Sequence, residues 1–569
     1  MIVQELQKIQ ERCGWLPVEE LRGLSARTGV PLHRIHEVAS YYPLYRLEPP
    51  PKVDIKVCRD MACHMAGAQR LRAEAGAIAS EYPAGEVVVG GVSCLGRCDG
   101  AVAVAVNDHH YFTGQTAESI RDLVARAHAG QPLPHGHGEQ HGALGFQIDV
   151  YAGTPAYQAL AKWLSNPDAA ALLKELEVSG LRGMGGAGFP TFRKWSAVRG
   201  APGAPKYVVC NADESEPGTF KDRELMLRAP WLVIEGIILA GLVVGAERGW
   251  IYIRHEYPEC IAAVRAEIAR ARKLGIFGPD VSGKGARFDL DVFVSPGGYV
   301  QGEESALLEA MEDRRGEPRN KPPFPVFQGL HGKPTVINNV ETLSWVPGII
   351  INGGSWYREK GVRGAIGMRM VSISGDIAKP GVYEVPFGQT LRELVETAGG
   401  MANGRPLKAA GLSGPSGGFL PARVPVAELP AKFAAARVPA GQTHFDLLDL
   451  PLDFGACGEM GAMLGAACVV YDDTREMVGQ ALNAAEFYRN ESCGKCVPCR
   501  VGGQKLVEMS TELVEGRSPP GRLELIRDLG ETMGITSICG LGQVASNPVT
   551  SVLRFFPGDV EACRGGRAP

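Results

Sequence analysis

At 569 residues the chain is about four times a ~150-residue domain, so several cores are expected rather than one. Lys+Arg 59 against Asp+Glu 63 gives a net charge of −4, which supplies no overall positive field to hold nucleic acid or an anionic membrane. Glycine, at 73 residues, is nearly double average usage (~7%), while a hydrophobic content of 45% is that of a globular chain, so the glycines belong to folded loops.

In chain order, Leu6, Ile9 and Cys13 recur at helical spacing, and Leu21 and Leu24 follow Pro17, a residue tolerated in a first turn: a small helical head over residues 1–45. From Val53, short β-branched runs (VDIKVC, EVVVGGVSC, AVAVAV) alternate with helical stretches at Gly67 to Ala79 and Ala117 to Ala129, so residues 1–130 are read as the head plus a compact α/β unit. Residues 131–145, QPLPHGHGEQHGALG, have the composition of a linker. His135, His137 and His141 alternate with glycine there without a rigid frame, and read as a solvated tether rather than a metal site. Residues 146–367 form a larger α/β unit whose strands, KYVVC and FDLDVFVSP, run into Gly- and acid-rich loops, where such sheets bind ligands. Its longest apolar run, Trp231 to Ala246, contains Glu235 and is too short to span ~30 Å of hydrocarbon, so it reads as a buried helix. Residues 368–455 are a β-rich module (MRMVSISGDI, GVYEVP, then the helix TLRELVETAGG), and 456–569 read as mostly helical. The N-terminus lacks the pattern of a secretory signal, which implies a cytoplasmic protein. The 14 cysteines are then not expected to pair as disulfides, and metal clusters are the leading explanation.

Gly183-Met184-Gly185-Gly186-Ala187-Gly188 matches G-x-G-x-x-G, but the residues before it read as helix, which disfavours an ordinary dinucleotide fingerprint. KYVVC runs into Asn211-Ala212-Asp213-Glu214-Ser215-Glu216, whose three carboxylates repel phosphate and suit hydroxyls, a flavin N–H or a carboxamide. Glu303 and Glu304 follow Gly302 at a helix start, where acids also serve as caps. Lys321, Phe324, Asn338 and Asn339 add a cation, an aromatic face and two amides.

Cys493-x2-Cys496-x2-Cys499 is the start of a ferredoxin-type run; structural zinc prefers separated pairs, so iron–sulfur is favoured. Its fourth thiolate must come from Cys457, Cys468, Cys539 or Cys563. Cys58-x4-Cys63 and Cys94-x3-Cys98 make two further pairs that suit either zinc or iron–sulfur. With zinc in both sites the protein would be a non-enzymatic scaffold.

The segments GLRGMGGAGFPTFRKW, NADESEPGTFKDRE, GGYVQGEESALLEAMED, KPPFP and KPTVINNVETL resemble the NADH-oxidising flavoprotein subunit of respiratory complex I, from about residue 150 to the C-terminus. IQERCGWLPVEELRGLSARTGVPLHRIHEVASYYPLY, VCRDMACHMAGA and CLGRCDGAVAV resemble its thioredoxin-like 2Fe-2S partner, here fused in front. The resemblance implies a multidomain α/β protein: a thioredoxin-like 2Fe-2S domain, a Rossmann-like FMN/NAD domain, a ubiquitin-like β-grasp domain and a C-terminal helical bundle with 4Fe-4S. It implies FMN held by Gly183, Gly185, Lys194, Asn211, Asp213, Tyr299, Gly302, Glu303, Asn338 and Asn339. NAD(H) would meet Phe189, Glu216, Glu304, Lys321 and Phe324, with Glu216 orienting the nicotinamide. Cys58, Cys63, Cys94 and Cys98 would ligate 2Fe-2S, and Cys493, Cys496, Cys499 and Cys539 would ligate 4Fe-4S. Met184 stands where the family usually has Arg, Gln301 where Cys is common, and Ala197 where a second Phe occurs.

The implied activity is that of a diaphorase, passing electrons between NAD(H) and a partner. The fusion occurs in NAD-dependent formate dehydrogenases, whose catalytic α subunit carries molybdenum or tungsten, and in soluble NAD-reducing nickel–iron hydrogenases. VCRDMACH is more similar to the formate dehydrogenase β subunits, so a formate dehydrogenase partner is the expectation, with the hydrogenase as alternative.

Overall fold

The computed structural model describes residues 2–134, 145–152 and 154–564; His135, His137 and His141 lie outside the described residues. At its centre is a four-stranded parallel sheet in the spatial order Asp289–Ser295, Arg248–Arg254, Tyr207–Ala212, Thr335–Asn339. Side chains alternate across such a sheet, and a parallel sheet needs cover on both faces. Val208, Cys210, Ile251, Ile253 and Val336 point to one face and pack with the helix Pro230–Val244. That helix meets Val340–Asn352 so closely that a Cβ on Gly236 would lie 2.2 Å from the Leu343 carbonyl oxygen. Val209, Trp250, Tyr252, Phe293 and Ile337 point to the other face, where the helical head covers them with Leu6, Leu24, Ile35 and Tyr42. The head is three helices, Ile2–Cys13, Val18–Thr28 and Leu32–Tyr41. Although it precedes the first α/β unit in sequence, it completes the core of the second.

The first α/β unit has the strand order Val87–Val92, Val53–Cys58, Val104–Val106, His110–Phe112, with the first pair parallel and the rest antiparallel. Leu71, Ala75 and Ile78 of one helix and Ile120, Leu123 and Val124 of another close its core. The β-grasp sheet runs Gly381–Pro386, Met368–Gly375, Ala467–Asp472, Leu407–Pro415, Leu420–Pro421. Its central strand, Ala467–Asp472, lies beyond 455, inside the stretch expected to be helical. All six residues of ACVVYD are buried, and a short apolar run without periodicity does not announce itself as a strand. Helices from Met477–Glu491 to Pro557–Arg564 complete the described residues.

Among the described residues no single helix is long and apolar enough to cross a membrane. The apolar helix Pro230–Val244 is buried, as its interruption by Glu235 suggested. Glu235 accepts hydrogen bonds from the Tyr151 hydroxyl at 2.7 Å and the Leu160 amide at 2.8 Å, and burial pushes its carboxyl up to about 7. A carboxyl that binds its proton more tightly when folded stabilises most at low pH; that contribution is lost as pH rises from about 4.5 through 7. Glu235→Gln is therefore expected to remove up to about 3 kcal/mol of pH-dependent stability loss, read as the wild-type minus variant difference in urea unfolding between pH 5 and 8.

Candidate functional site

The carboxyl ends of the central strands form one edge. Pairing of Tyr207–Ala212 with Thr335–Asn339 sets Cys210 opposite Asn338 and Asn211 opposite Asn339. The Asn211 amide donates to the Gly302 carbonyl at 2.8 Å, and a Cβ on Gly302 would lie 3.2 Å from the Asp213 carbonyl oxygen. The glycine loop follows the helix Ala169–Ser179, not a strand, and leads into Thr191–Gly200. It lies on the same edge: a Cβ on Gly185 would be 3.3 Å from the Asn339 Cβ, and the Met184 amide donates to the Thr342 hydroxyl at 2.8 Å. Gly183 closes the loop by donating to the Phe189 carbonyl at 2.9 Å. A side chain at Gly185 would crowd the edge from which Asn339 projects; the backbone cradle and its amides fit a flavin phosphate, and the Asp213 carboxylate suits the hydroxyls of its polar chain.

The three loop carboxylates have separate surroundings. Asp213 is pushed up to about 7 by burial and accepts from the Ser215 hydroxyl. Glu214 caps the helix Lys221–Arg228, accepting from the Asp222 amide at 2.8 Å and the Arg223 amide at 3.1 Å; burial, then Asp222, pushes it up to about 8. Glu216 takes three donors: the Tyr299 hydroxyl at 2.5 Å on Oε2, and the Ser416 hydroxyl at 2.5 Å and amide at 3.1 Å on Oε1. Burial raises its pKa, and these bonds restrain the rise.

Glu303 caps the helix Glu304–Met311 through the Ser305 and Ala306 amides, both 2.9 Å, and also meets Lys321 Nζ at 2.6 Å. Glu304 lies 3.0 Å from Lys321 and 3.5 Å from Lys194. Burial alone would raise the Glu304 pKa, but these two lysines hold it below the usual range. Phe189 and Phe324 leave ring faces open, at 49% and 48% exposure. Asn338 accepts from the Trp195 indole at 2.8 Å. Asn339 donates to Asp222 at 2.6 Å above the buried Lys221, which pairs with Asp222 and Glu341 at 2.6 and 2.9 Å. That buried pair of acids around Lys221 fixes the amide, and sequence reading missed it. Met184 is buried, Gln301 is buried with its Oε1 unpartnered, and Ala197 is partly covered on the helix Thr191–Gly200.

Cys58, Cys63, Cys94 and Cys98 are buried: Cys58 ends the strand Val53–Cys58, Cys63 is in the short helix Ala62–Met65, and Cys94 and Cys98 lie in the loop after Val87–Val92. Cys94 and Cys98 Sγ atoms stand 3.5 Å apart, and Cys58 lies against both Cys63 and Cys94. Among the described residues no three or more His, Cys, Asp or Glu close on a point as one metal ion would need. The four thiols form a chain of contacts, a four-thiolate donor set of the kind that would hold 2Fe-2S. Cys493, Cys496, Cys499 and Cys539 gather with Tyr299, Phe487, Tyr488 and Met533 in one apolar cluster. Burial pushes Cys499 up to about 12 and Cys539 up to about 11, so they would ionise only beside strong positive charge such as bound iron would supply. Cys457, Cys468 and Cys563, the other candidates for the fourth thiolate, are buried elsewhere.

Side chains remote in sequence join these parts. Arg254 donates to the Cys94 carbonyl at 2.7 Å and Arg223 to the Gly96 carbonyl at 2.8 Å. Asn483 donates to the Arg59 carbonyl at 2.9 Å and accepts from the Met61 amide at 3.0 Å. Glu491 accepts from the Tyr299 amide at 2.7 Å and from the Ser93 hydroxyl, bridging all three cofactor regions.

Four protein-family descriptions match: thioredoxin-like 2Fe-2S ferredoxin over residues 1–128, Nuo51 FMN-binding domain over 176–348, SLBB domain over 370–420, and NADH-ubiquinone oxidoreductase-F iron-sulfur binding region over 479–563. The expected multidomain α/β fold is thus met, and the domain content is that of a protein binding FMN, NAD(H), 2Fe-2S and 4Fe-4S. The second F-type subunit of the NADH-quinone oxidoreductase of Rhizobium meliloti is 40% identical over 72% of this chain and 93% of its own length. The HndC subunit of the NADP-reducing hydrogenase of Solidesulfovibrio fructosivorans is 37% identical over 73% of this chain and 80% of its own. The crystal structure of an NAD+-reducing NiFe-hydrogenase in the H2-reduced state superposes with a TM-score of 0.85 at 32% identity, covering 98% of this chain and 92% of that one.

These relatives overturn the expectation of a formate dehydrogenase β subunit and, with it, of a molybdenum/tungsten formate dehydrogenase α subunit as partner. The physical reason lies in VCRDMACH itself. Asp60 accepts from the Cys94 amide at 2.8 Å, Arg59 and Met61 bond Asn483, and Cys58 and Cys63 belong to the thiol set. The segment serves its own module and the helix Met477–Glu491 of the same chain, and carries no record of a partner.

Proposed function

The chain belongs to the family of NADH-quinone oxidoreductase F-type subunits, NADH:acceptor oxidoreductases of the diaphorase type, and from that premise we propose that it is the diaphorase subunit of a soluble NAD-reducing nickel–iron hydrogenase. The observation that carries the choice is coverage. The F-type and HndC matches span about three quarters of this chain, whereas the hydrogenase structure spans 98% of it, thioredoxin-like module included. A cytoplasmic setting is supported by cysteines that are free throughout the described residues.

Bound FMN would exchange a hydride with NAD(H) and hand over electrons one at a time, which the iron–sulfur clusters would carry. The chain's own residues supply position and electrostatics. Gly183, Gly185 and Gly302 would let backbone approach the flavin, while Lys194, Asn211, Asp213, Tyr299, Glu303, Asn338 and Asn339 would hold its polar groups. Phe189 and Phe324 would stack the adenine, and Glu304 and Lys321 would face the ribose and phosphates. Glu216, held at both oxygens, would orient the nicotinamide carboxamide. Cys58, Cys63, Cys94 and Cys98 would ligate 2Fe-2S, and Cys493, Cys496, Cys499 and Cys539 would ligate 4Fe-4S.

The test is to isolate the chain with the subunits that accompany it and assay metals and acceptors. Nickel in the complex with hydrogen-dependent NAD+ reduction is expected; a complex without nickel would overturn the hydrogenase reading.

A further inference from the structure

The β-grasp module holds no cysteine ligand and supplies none of the flavin-site residues named above, yet it reaches the nicotinamide end of the site. The strand Leu407–Pro415 is followed by a turn that begins with Ser416, which is 8% exposed and 200 residues from the carboxylate it touches. Its hydroxyl and amide both donate to Glu216 Oε1, at 2.5 and 3.1 Å. Ser416 is itself fixed from two further elements: the Tyr488 hydroxyl donates to its Oγ at 3.0 Å, and the Asn547 amide donates to its carbonyl at 2.8 Å. The turn sits tight on the loop it serves, since a Cβ on Gly414 would lie 2.6 Å from the Pro217 carbonyl oxygen. With Tyr299 on Oε2, the carboxylate of Glu216 is gripped from two domains.

We propose that Ser416 is a positioning residue for nicotinamide recognition, acting through Glu216, so that the β-grasp module sets the geometry of the NAD(H) site. The inference rests on the assignment of Glu216 to the nicotinamide. A carboxylate held at both oxygens presents one fixed set of remaining lone pairs to a carboxamide, whereas one that has lost the Ser416 hydroxyl and keeps only the longer amide bond at Oε1 is held less firmly and must be ordered further on binding. A hydrogen bond to a charged group governs an effect of about tenfold.

The test compares S416A, S416T and E216A in the full-length, flavin-loaded protein, with binding of NAD+ and of ADP-ribose, which lacks the nicotinamide, measured by calorimetry. S416A is expected to weaken NAD+ about tenfold while leaving ADP-ribose affinity and flavin content unchanged, and S416T is expected to restore NAD+ binding. Unchanged NAD+ binding in S416A, beside an impaired E216A, would overturn the role of Ser416 alone. Equal loss of NAD+ and ADP-ribose, or loss of flavin, would reduce Ser416 to a structural contact and overturn it too. An E216A variant that binds NAD+ as wild type does would overturn the assignment of Glu216 and this inference with it.

Discussion

Glu216→Ala is expected to lower kcat/KM for NADH by about tenfold to a hundredfold with an artificial acceptor, while flavin content stays at the wild-type level. The magnitude follows from removing a charged hydrogen-bond acceptor at the proposed nicotinamide position, worth about 1.5–3 kcal/mol. The variant also leaves the Tyr299 hydroxyl and the Ser416 hydroxyl and amide without their acceptor in a buried site. Flavin should persist because its proposed cradle, Gly183, Gly185, Asn211, Asp213 and Asn339, is held by other contacts: Asn339 by Asp222, and Asn211 by Gly302. Loss of flavin on purification would place Glu216 in the wrong half of the site.

Cys496→Ser is expected to abolish delivery of electrons to the partner, down to background, while flavin reduction by NADH stays within about twofold of wild type. Cys496 is the N-cap of the helix Val497–Val514 and sits in the apolar cluster with Cys493, Cys499 and Cys539. The Glu216 carboxylate lies on the loop after Tyr207–Ala212 and takes none of its three donors from this helix. The two half-reactions should therefore separate cleanly. Stopped-flow reduction of the flavin against hydrogen-dependent or partner-dependent turnover reads both; partner turnover at the normal rate would remove this cysteine set from the route.

What could be read in the sequence follows from how local its physics is. The thiol runs were legible because the chemistry of an iron–sulfur site fixes residue type at short spacing. The strands Tyr207–Ala212 and Asp289–Ser295 were legible as β-branched runs ending in acid- and glycine-rich loops. Tertiary contacts were not. Nothing in Leu6 or Leu24 states that the head covers Trp250 and Phe293, and Ala467–Asp472 reads as an apolar scrap until the sheet supplies both its neighbours. Lys221, Ser416 and Glu491 carry ordinary sequence surroundings; their roles come from partners 118, 200 and 192 positions away. Among the three acids of DESE the family resemblance gave roles to Asp213 and Glu216 and none to Glu214, and only the structure shows Glu214 capping a helix and Glu216 held from two domains. The partner was misjudged for a related reason: the residues compared, Cys58 to His64, face the module's own core and the helix bearing Asn483.

A polypeptide that takes electron pairs from NADH and releases them singly into its cysteine-bound iron must become paramagnetic when reduced. Low-temperature electron paramagnetic resonance of anaerobic, flavin-loaded and iron-replete protein after addition of NADH tests this most directly. Signals from reduced iron–sulfur centres, with the 4Fe-4S contribution missing in Cys496→Ser, are the expected result; a protein that bleaches its flavin yet stays silent would contradict electron release into iron.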